Sequence, residues 1–175
     1  MKSRNFYIMK AENINNAVEP KDITKSIKLE YVRKNLIQYL DTQPVQFYIK
    51  EKPNNIYPDF IDKPVPLISN KVKEFFDKLG IKSIFYKPVM LADIKRMKQT
   101  LYWLVVPRKI DCMSDETLFN RDDSVRRLKI DSERVGYYKV FKVNGILEDY
   151  IIVDESVVSI LSLGNFSVLN LKYYN

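Results

Sequence analysis

The sequence predicts an α+β fold with mixed or largely antiparallel sheets and a few short helices. Three observations predict it. The stretches "LISNKVKEFFDKLGIKSIFYKPV" (67–89) and "IVDESVVSILSLGNFSVLNLKY" (152–173) share one plan: a short apolar lead, a capping residue, a helix-like run, a glycine and a β-like run. "TLYWLVVPRKID" (100–111) is apolar on both faces, as a central strand is. "YYKVFKVNG" (137–145) alternates and ends in Asn-Gly, the strongest short signal for a hairpin, with "DYIIV" (149–153) as the return strand.

Taken in order, "NFYIMK" (5–10) reads as a first strand, followed by a turn-rich connection. "ITKSIKLEYVRKNLIQYL" (23–40) places Ile27, Tyr31, Leu36 and Leu40 at roughly helical spacing, with Ile23 one turn earlier. "VQFYIKE" (45–51) is a strand. The following "KPNNIYPDFIDKPVP" holds four prolines and two asparagines and must be a loop. Tyr57 and Phe60 in it are anchors on the core or exposed contacts. Ser69 or Asn70 caps the next helix, whose Val72, Phe75, Phe76 and Leu79 fall at i, i+3, i+4 and i+7. Gly80 ends it. In 100–111, Tyr102, Leu104 and Val106 point one way and Leu101, Trp103 and Val105 the other, and Pro107 ends regular pairing. "CMSDETLFNRDDSVRR" (112–127) is loop with a short turn, "LKI" (128–130) a short strand and "DSERVG" (131–136) a turn. Asp154 caps the second helix, Val157, Ile160 and Leu161 face inward, Gly164 terminates it, and Leu169, Leu171 and Tyr173 form one face of a last strand.

Aligning Val72 with Val157 sets Ser69 on Asp154, Phe75 on Ile160 and Phe76 on Leu161, while the two glycines fall one residue out of step. Upstream, "VQFYIKE" stands before one copy as "YKVFKVNG" stands before the other. Two such units arise by chance or by duplication of a half-domain with a pseudo-two-fold relation.

The chain has 175 residues, 46% hydrophobic and 13% aromatic, which is the composition of a globular protein. A chain this long buries roughly 70% of the surface its unfolded form exposes. The single cysteine, Cys112, argues against a disulfide-stapled secreted domain. No apolar leader and no long apolar run is present, so a cytoplasmic protein without a membrane segment is expected. There is no histidine, which removes the Ser-His-Asp and Cys-His pairs and histidine-held metals. The net charge is +7. Residues 1–91 carry 16 Lys/Arg against 10 Asp/Glu, and residues 92–175 carry 13 against 12. A basic first half attracts nucleic acid, an anionic membrane or an acidic protein, or is a lysine-rich solvated surface.

The search for chemistry is short. Asp122-Asp123 and Asp115-Glu116 are the tight acidic pairs, but neighbours on a loop rarely converge on one ion. Cys112 has no histidine to activate it and reads as a buried thiol. Arg126-Arg127 near Asp122 and Asp123 forms an anion site or a self-neutralising surface. No glycine-rich phosphate loop exists among four glycines. "KSIFYKPV" and "NLKYYN" mix basic and aromatic residues as single-strand binders do, yet both lie on strands whose aromatics the core needs. No cofactor and no metal site is expected.

The order of the pieces carries a resemblance. A "PDF" loop (Pro58, Asp59, Phe60) precedes "PLISNKVKEFFDKLG"; "SIFYKPV" leads to "YWLVVPRKIDCM"; "LKIDSERVGYYKVFKV" and "YIIVDESVVSIL" follow. This resembles an immunity-protein family encoded beside bacterial polymorphic toxins, first catalogued as a domain of unknown function. The likeness spans roughly Val45 to Tyr174 and its motifs are structural. It implies inhibition by binding a cognate toxin domain, with no catalytic residues to carry over. It also divides the chain into an N-terminal strand and helical segment (1–44) and an immunity-family-like α+β domain (45–175), packed as one compact domain. The basic first half suggests an acidic toxin surface. The alternative is a nucleic-acid-binding or generic protein-interaction module using that basic half. Loops carry partner-specific residues more often than sheets do, so Tyr57, Asp59, Phe60, Arg108, Asp122 and Asp123 are the expected partner contacts.

Overall fold

A computed structural model describes residues 4–166 and the strand backbone at 169–173. In chain order its elements are β1 (Phe6–Ala11), α1 (Ile23–Ser26), α2 (Leu29–Arg33), a 3-10 turn (Ile37–Tyr39), β2 (Val45–Tyr48), β3 (Phe60–Ile61), β4 (Leu67–Ser69), α3 (Asn70–Lys78), β5 (Ile84–Asp93), β6 (Lys98–Pro107), β7 (Lys109–Ile110), β8 (Leu118–Phe119), β9 (Val125–Arg127), α4 (Ser132–Val135), β10 (Val140–Val143), β11 (Ile151–Asp154), α5 (Glu155–Leu163) and β12 (Leu169–Tyr173). The fold is α+β, mostly strand, with mixed and antiparallel sheets. One five-stranded sheet has the order β2-β5-β6-β4-β3, the other β12-β1-β11-β10-β7, and β8-β9 form a separate hairpin.

The two capped stretches build the same topology twice. In the first sheet β4 and β5 flank β6 and both run antiparallel to it. In the second, β11 and β12 flank β1 in the same sense. α3 and α5 each link the flanking pair. Ser69, which caps α3, lies opposite Tyr102, and Asp154, which caps α5, lies opposite Phe6. One constant offset carries Ser69 onto Asp154, Val72 onto Val157, Phe76 onto Leu161 and Ile84 onto Leu169. The same offset carries Gly80 onto Asn165, and both have left-handed backbones, with φ of 67° and 47°. Gly164 ends α5 at φ −83°, so the apparent slip between the two glycines disappears: asparagine, which tolerates this region best after glycine, fills the second terminator. The strands at the centre differ in origin. β6 follows β5 directly, whereas β1 comes from the other end of the chain. Taking the halves as β1–β5 and β6–β12, each half lends its first strand to the sheet that holds the other half's helix.

The upstream correspondence differs from expectation. β2 pairs parallel with β5, while β10 pairs antiparallel with β11. The counterpart of β10 is the two-residue β3, antiparallel to β4. The expected helix over 23–40 is broken into α1, α2 and the 3-10 turn, because Ile27 is extended and the chain buries Ile23, Ile27 and Val32, whose spacing no single helix face matches. The acidic loop at 112–127 contains the β8-β9 hairpin, and "DSERVG" forms α4, capped by Asp131. The shared face expected for Leu169, Leu171 and Tyr173 concerns side chains outside those described.

Side chains alternate across each sheet, so its central strands serve two cores. Trp103 and Val105 of β6, with Tyr7 and Met9 of β1, face a central cluster that includes Phe76 of α3 and Leu161 of α5. Tyr102, Leu104 and Val106 face an outer cluster covered by Ile23, Ile27 and Val32. Phe6 and Ile8 face a second outer cluster covered by Leu128 and Val135. Residues 4–44 thus supply β1 to one sheet and a lid to the other, so they are woven into the same cores as the rest.

Candidate functional site

The segment that joins the sheets carries the most promising surface. After Pro107, β6 ends and the chain crosses to β7 in the other sheet through Arg108. Its N–H donates to the Ser83 carbonyl (2.9 Å) and its carbonyl accepts from the Lys142 N–H (2.9 Å). The backbone is thereby pinned to both sheets while the side chain stays exposed. Across from it, Gly136 (φ 60°) turns the chain out of α4 and delivers Tyr137 and Tyr138. The Arg4 guanidinium donates to the Gly136 carbonyl, to the Tyr138 carbonyl (2.9 Å) and to Asp154 (2.8 Å), so the turn is tied to the N-cap of α5.

These elements enclose a cleft of about 410 Å³, floored by Leu79 and Ile81 and edged by Lys82, Arg108, Tyr137 and Lys139. Tyr137 and Tyr138 stack at 4.6 Å between centroids, and the Arg108 guanidinium lies over Tyr138 at 5.9 Å. Tyr137 is 83% exposed. Its phenol is held above its usual range by the neighbouring Tyr138 hydroxyl, with Arg108 pulling the other way. A second hollow of about 510 Å³ adjoins the first, sharing Lys82, Ser83 and Arg108 and adding Lys109 and Ile37.

Among the described residues no carboxylate lies within 4 Å of Lys82, Arg108, Lys109 or Lys139. The cations of the basic first half fare differently. Lys25, Lys34, Lys50, Lys52 and Lys73 pair with Asp22, Glu30, Glu19 and Asp77. The buried Lys87 donates to Asp41 (2.6 Å) and to two carbonyls. These pairs join cations and acids of the same half and leave its excess of cations unchanged, while the junction of the sheets gathers Lys82, Arg108, Lys109 and Lys139 from separate segments of chain. In the second half, the buried Lys142 donates to Asp149 (2.7 Å), and burial pulls its pKa below the usual lysine value.

The expected contact residues separate. Arg108 stands in the cleft. Tyr57 is half-buried against the outer core, with the Lys98 ammonium 4.3 Å over its ring. Phe60 is 1% exposed and belongs to the central core. Asp59, 8% exposed, accepts from the Ser69 hydroxyl (2.6 Å), which in turn accepts from the Val72 N–H (3.3 Å). The Tyr102 hydroxyl donates to the Pro58 carbonyl (2.6 Å). Phe60 and Asp59 are thus structural: they hold the loop down and steady the cap of α3. Asp122 and Asp123 lie at the exposed tip of the β8-β9 hairpin, where Asp122 accepts from the Ser124 hydroxyl (2.6 Å) and Asp123 has φ 62°. Arg126 and Arg127 form no ion pair with them within 4 Å. The sequence reading missed Lys82, Tyr137, Tyr138 and Lys139. The signal for three of them was "GYYK", a turn residue followed by adjacent aromatics and a cation.

Burial, Asp111 and Asp131 push the Cys112 thiol up to about 12, so it is a core thiol and not a nucleophile. Among the described residues no cluster of three metal-ligating side chains occurs, and no helix is long and apolar enough to cross a membrane. The cleft offers cations, phenols and an apolar floor, which bind carboxylates and apolar side chains. No family model and no curated protein matches this chain.

Proposed function

We propose that this chain is an immunity protein that binds and neutralises a cognate polymorphic toxin without catalysis, acting in the cytoplasm of the cell it protects. The observation that carries this reading is the exposed basic and aromatic cleft on a backbone pinned to two sheets. It is a pre-ordered binding surface with unpaired charge, of the kind a tight inhibitor needs. The order of motifs from the "PDF" loop to "YIIVDESVVSIL" supports the same reading, since it resembles that of an immunity family. Co-expression tests it: cells producing the toxin encoded next to this chain's gene should survive when the chain is present and die when it is absent. Death in both cases rejects it.

A second reading has one observation in its favour. An exposed phenol ring beside unpaired cations is also what a single-stranded nucleic acid stacks on. Retention on single-stranded DNA that falls steeply with salt would select it.

A further inference from the structure

Resting on the immunity reading, we infer that the cleft between Arg108 and the Tyr137-Tyr138 pair is the toxin-docking surface, and that the toxin meets it with a carboxylate-bearing patch around an apolar side chain. Charge complementarity leads to this partner. Lys82 comes from the turn before β5, Arg108 from the crossover and Lys139 from the approach to β10, and none has a carboxylate partner within 4 Å among the described residues. Three cations from three segments of chain converge on one hollow. The Arg108 guanidinium lies 5.9 Å from the Tyr138 ring centroid, and a guanidinium fork matches a carboxylate bidentately. Leu79 and Ile81 give the hollow an apolar floor, and about 410 Å³ suits a few side chains.

Tyr137 is placed to be an energetic anchor. It is 83% exposed and stacks on Tyr138, so a partner that covers it buries a large aromatic surface. Ordering costs little here, because Arg108 and Ser83 are tied to both sheets and Arg4 holds the turn. The arrangement favours a protein over a nucleic acid. The cations ring a compact hollow and its neighbour, whereas a nucleic-acid backbone is tracked by charges along an extended groove. A carboxylate patch also explains why the site keeps its own carboxylates away: any Asp or Glu here would compete for the same cations.

The test uses the full chain and the purified toxin domain encoded next to its gene, with binding measured by calorimetry and surface kinetics. The wild-type chain should bind, with association slowing as salt rises. Arg108→Glu and Lys139→Glu should each weaken binding by about 100-fold, and Tyr137→Ala by about 30-fold. Lys82→Glu, at an exposed turn, is the variant that cannot be dismissed as misfolded. Each variant should keep the wild-type thermal midpoint. An Asp→Lys or Glu→Lys change on the toxin that restores binding to Arg108→Glu would identify the paired carboxylate. If the wild-type chain does not bind the toxin, the immunity reading fails and this surface falls with it. If the wild type binds and all four variants bind within about twofold of it, the docking surface is wrong and the immunity reading stands. If the variants lose retention on single-stranded DNA but keep the toxin, the cleft is a nucleic-acid surface and the inference is overturned.

Discussion

Residues 53–66, irregular apart from the two-residue β3, and residues 136–139 are connections bearing aromatic side chains, and they are used in opposite ways. The first is long and rich in proline, and it is held by backbone pairing at Ile56, Asp59 and β3 together with its side chains. Phe60 enters the central core, Tyr57 lies on the outer one, the Pro58 carbonyl takes the buried Tyr102 hydroxyl and Asp59 takes Ser69. The second is short and held by its backbone: Arg4 grips the Gly136 and Tyr138 carbonyls, and Val135 is the residue that enters the core. Tyr137 is therefore free to face outward, while Tyr138 packs against the second outer cluster. Phe60 is an anchor because its strand runs over the central core, and Tyr137 is a surface residue because its turn leaves the core after Val135.

The widest contrast is between Phe60→Ala and Tyr137→Ala. The first should cost about 3–5 kcal/mol in denaturant unfolding, and the second should stay within about 0.5 kcal/mol. Equal effects would erase the distinction between the two connections. Tyr102→Phe comes next. It strands the Pro58 carbonyl in the core and should cost about 1–2 kcal/mol with little change in overall structure; a neutral result would show that the loop is held without this hydrogen bond. Gly80→Ala should cost about 1 kcal/mol, entirely from the left-handed backbone, since a Cβ there meets nothing within 4 Å. Gly80→Asn should recover much of that loss, as Asn165 does in the second copy, and failure to do so would weaken the equivalence of the two terminators.

The smallest effect concerns pH. Lys50 and Lys52 bond the Glu19 carboxylate and lower its pKa from 4.5 to about 2, tying the N-terminal lid to the chain entering the proline-rich connection. A depressed carboxylate stabilises the fold fully above its unfolded pKa. That contribution fades as pH falls from about 4.5 towards 2. The pair is half-exposed, so it contributes at most about 1 kcal/mol after solvent screening. Glu19→Gln should lower stability at neutral pH by that amount and flatten the acid limb of the stability curve. An unchanged limb would show that the lid is held by Ile23, Ile27 and Val32 alone.

Much of the fold was legible because it is written in local chemistry. Ser69 and Asp154 announced the helix starts, Val72 and Phe76 the buried face, Asn144-Gly145 the hairpin, and the two apolar faces of 100–107 a strand at the centre of a sheet. The candidate site was legible only at Arg108. Tyr57, Asp59 and Phe60 had the right composition for contacts, but burial is a property of what packs over a residue, which its neighbours in the chain do not state.

Residue types and spacing were enough to establish the α+β class, the caps, the strand alternation and the doubled strand–helix–strand plan, since each depends on hydrogen bonds and side-chain periodicity within a few residues. Three things needed the folded chain. The exchange of β1 and β6 between the two halves is a pairing of strands far apart in sequence. The ion pairs of Lys50 and Lys52 with Glu19 join residues more than thirty positions apart in the chain. The cleft came from bringing Lys82, Arg108, Tyr137 and Lys139 to one junction without a carboxylate among them. Charge and contact depend on distance in space, and only close packing of the chain sets those distances.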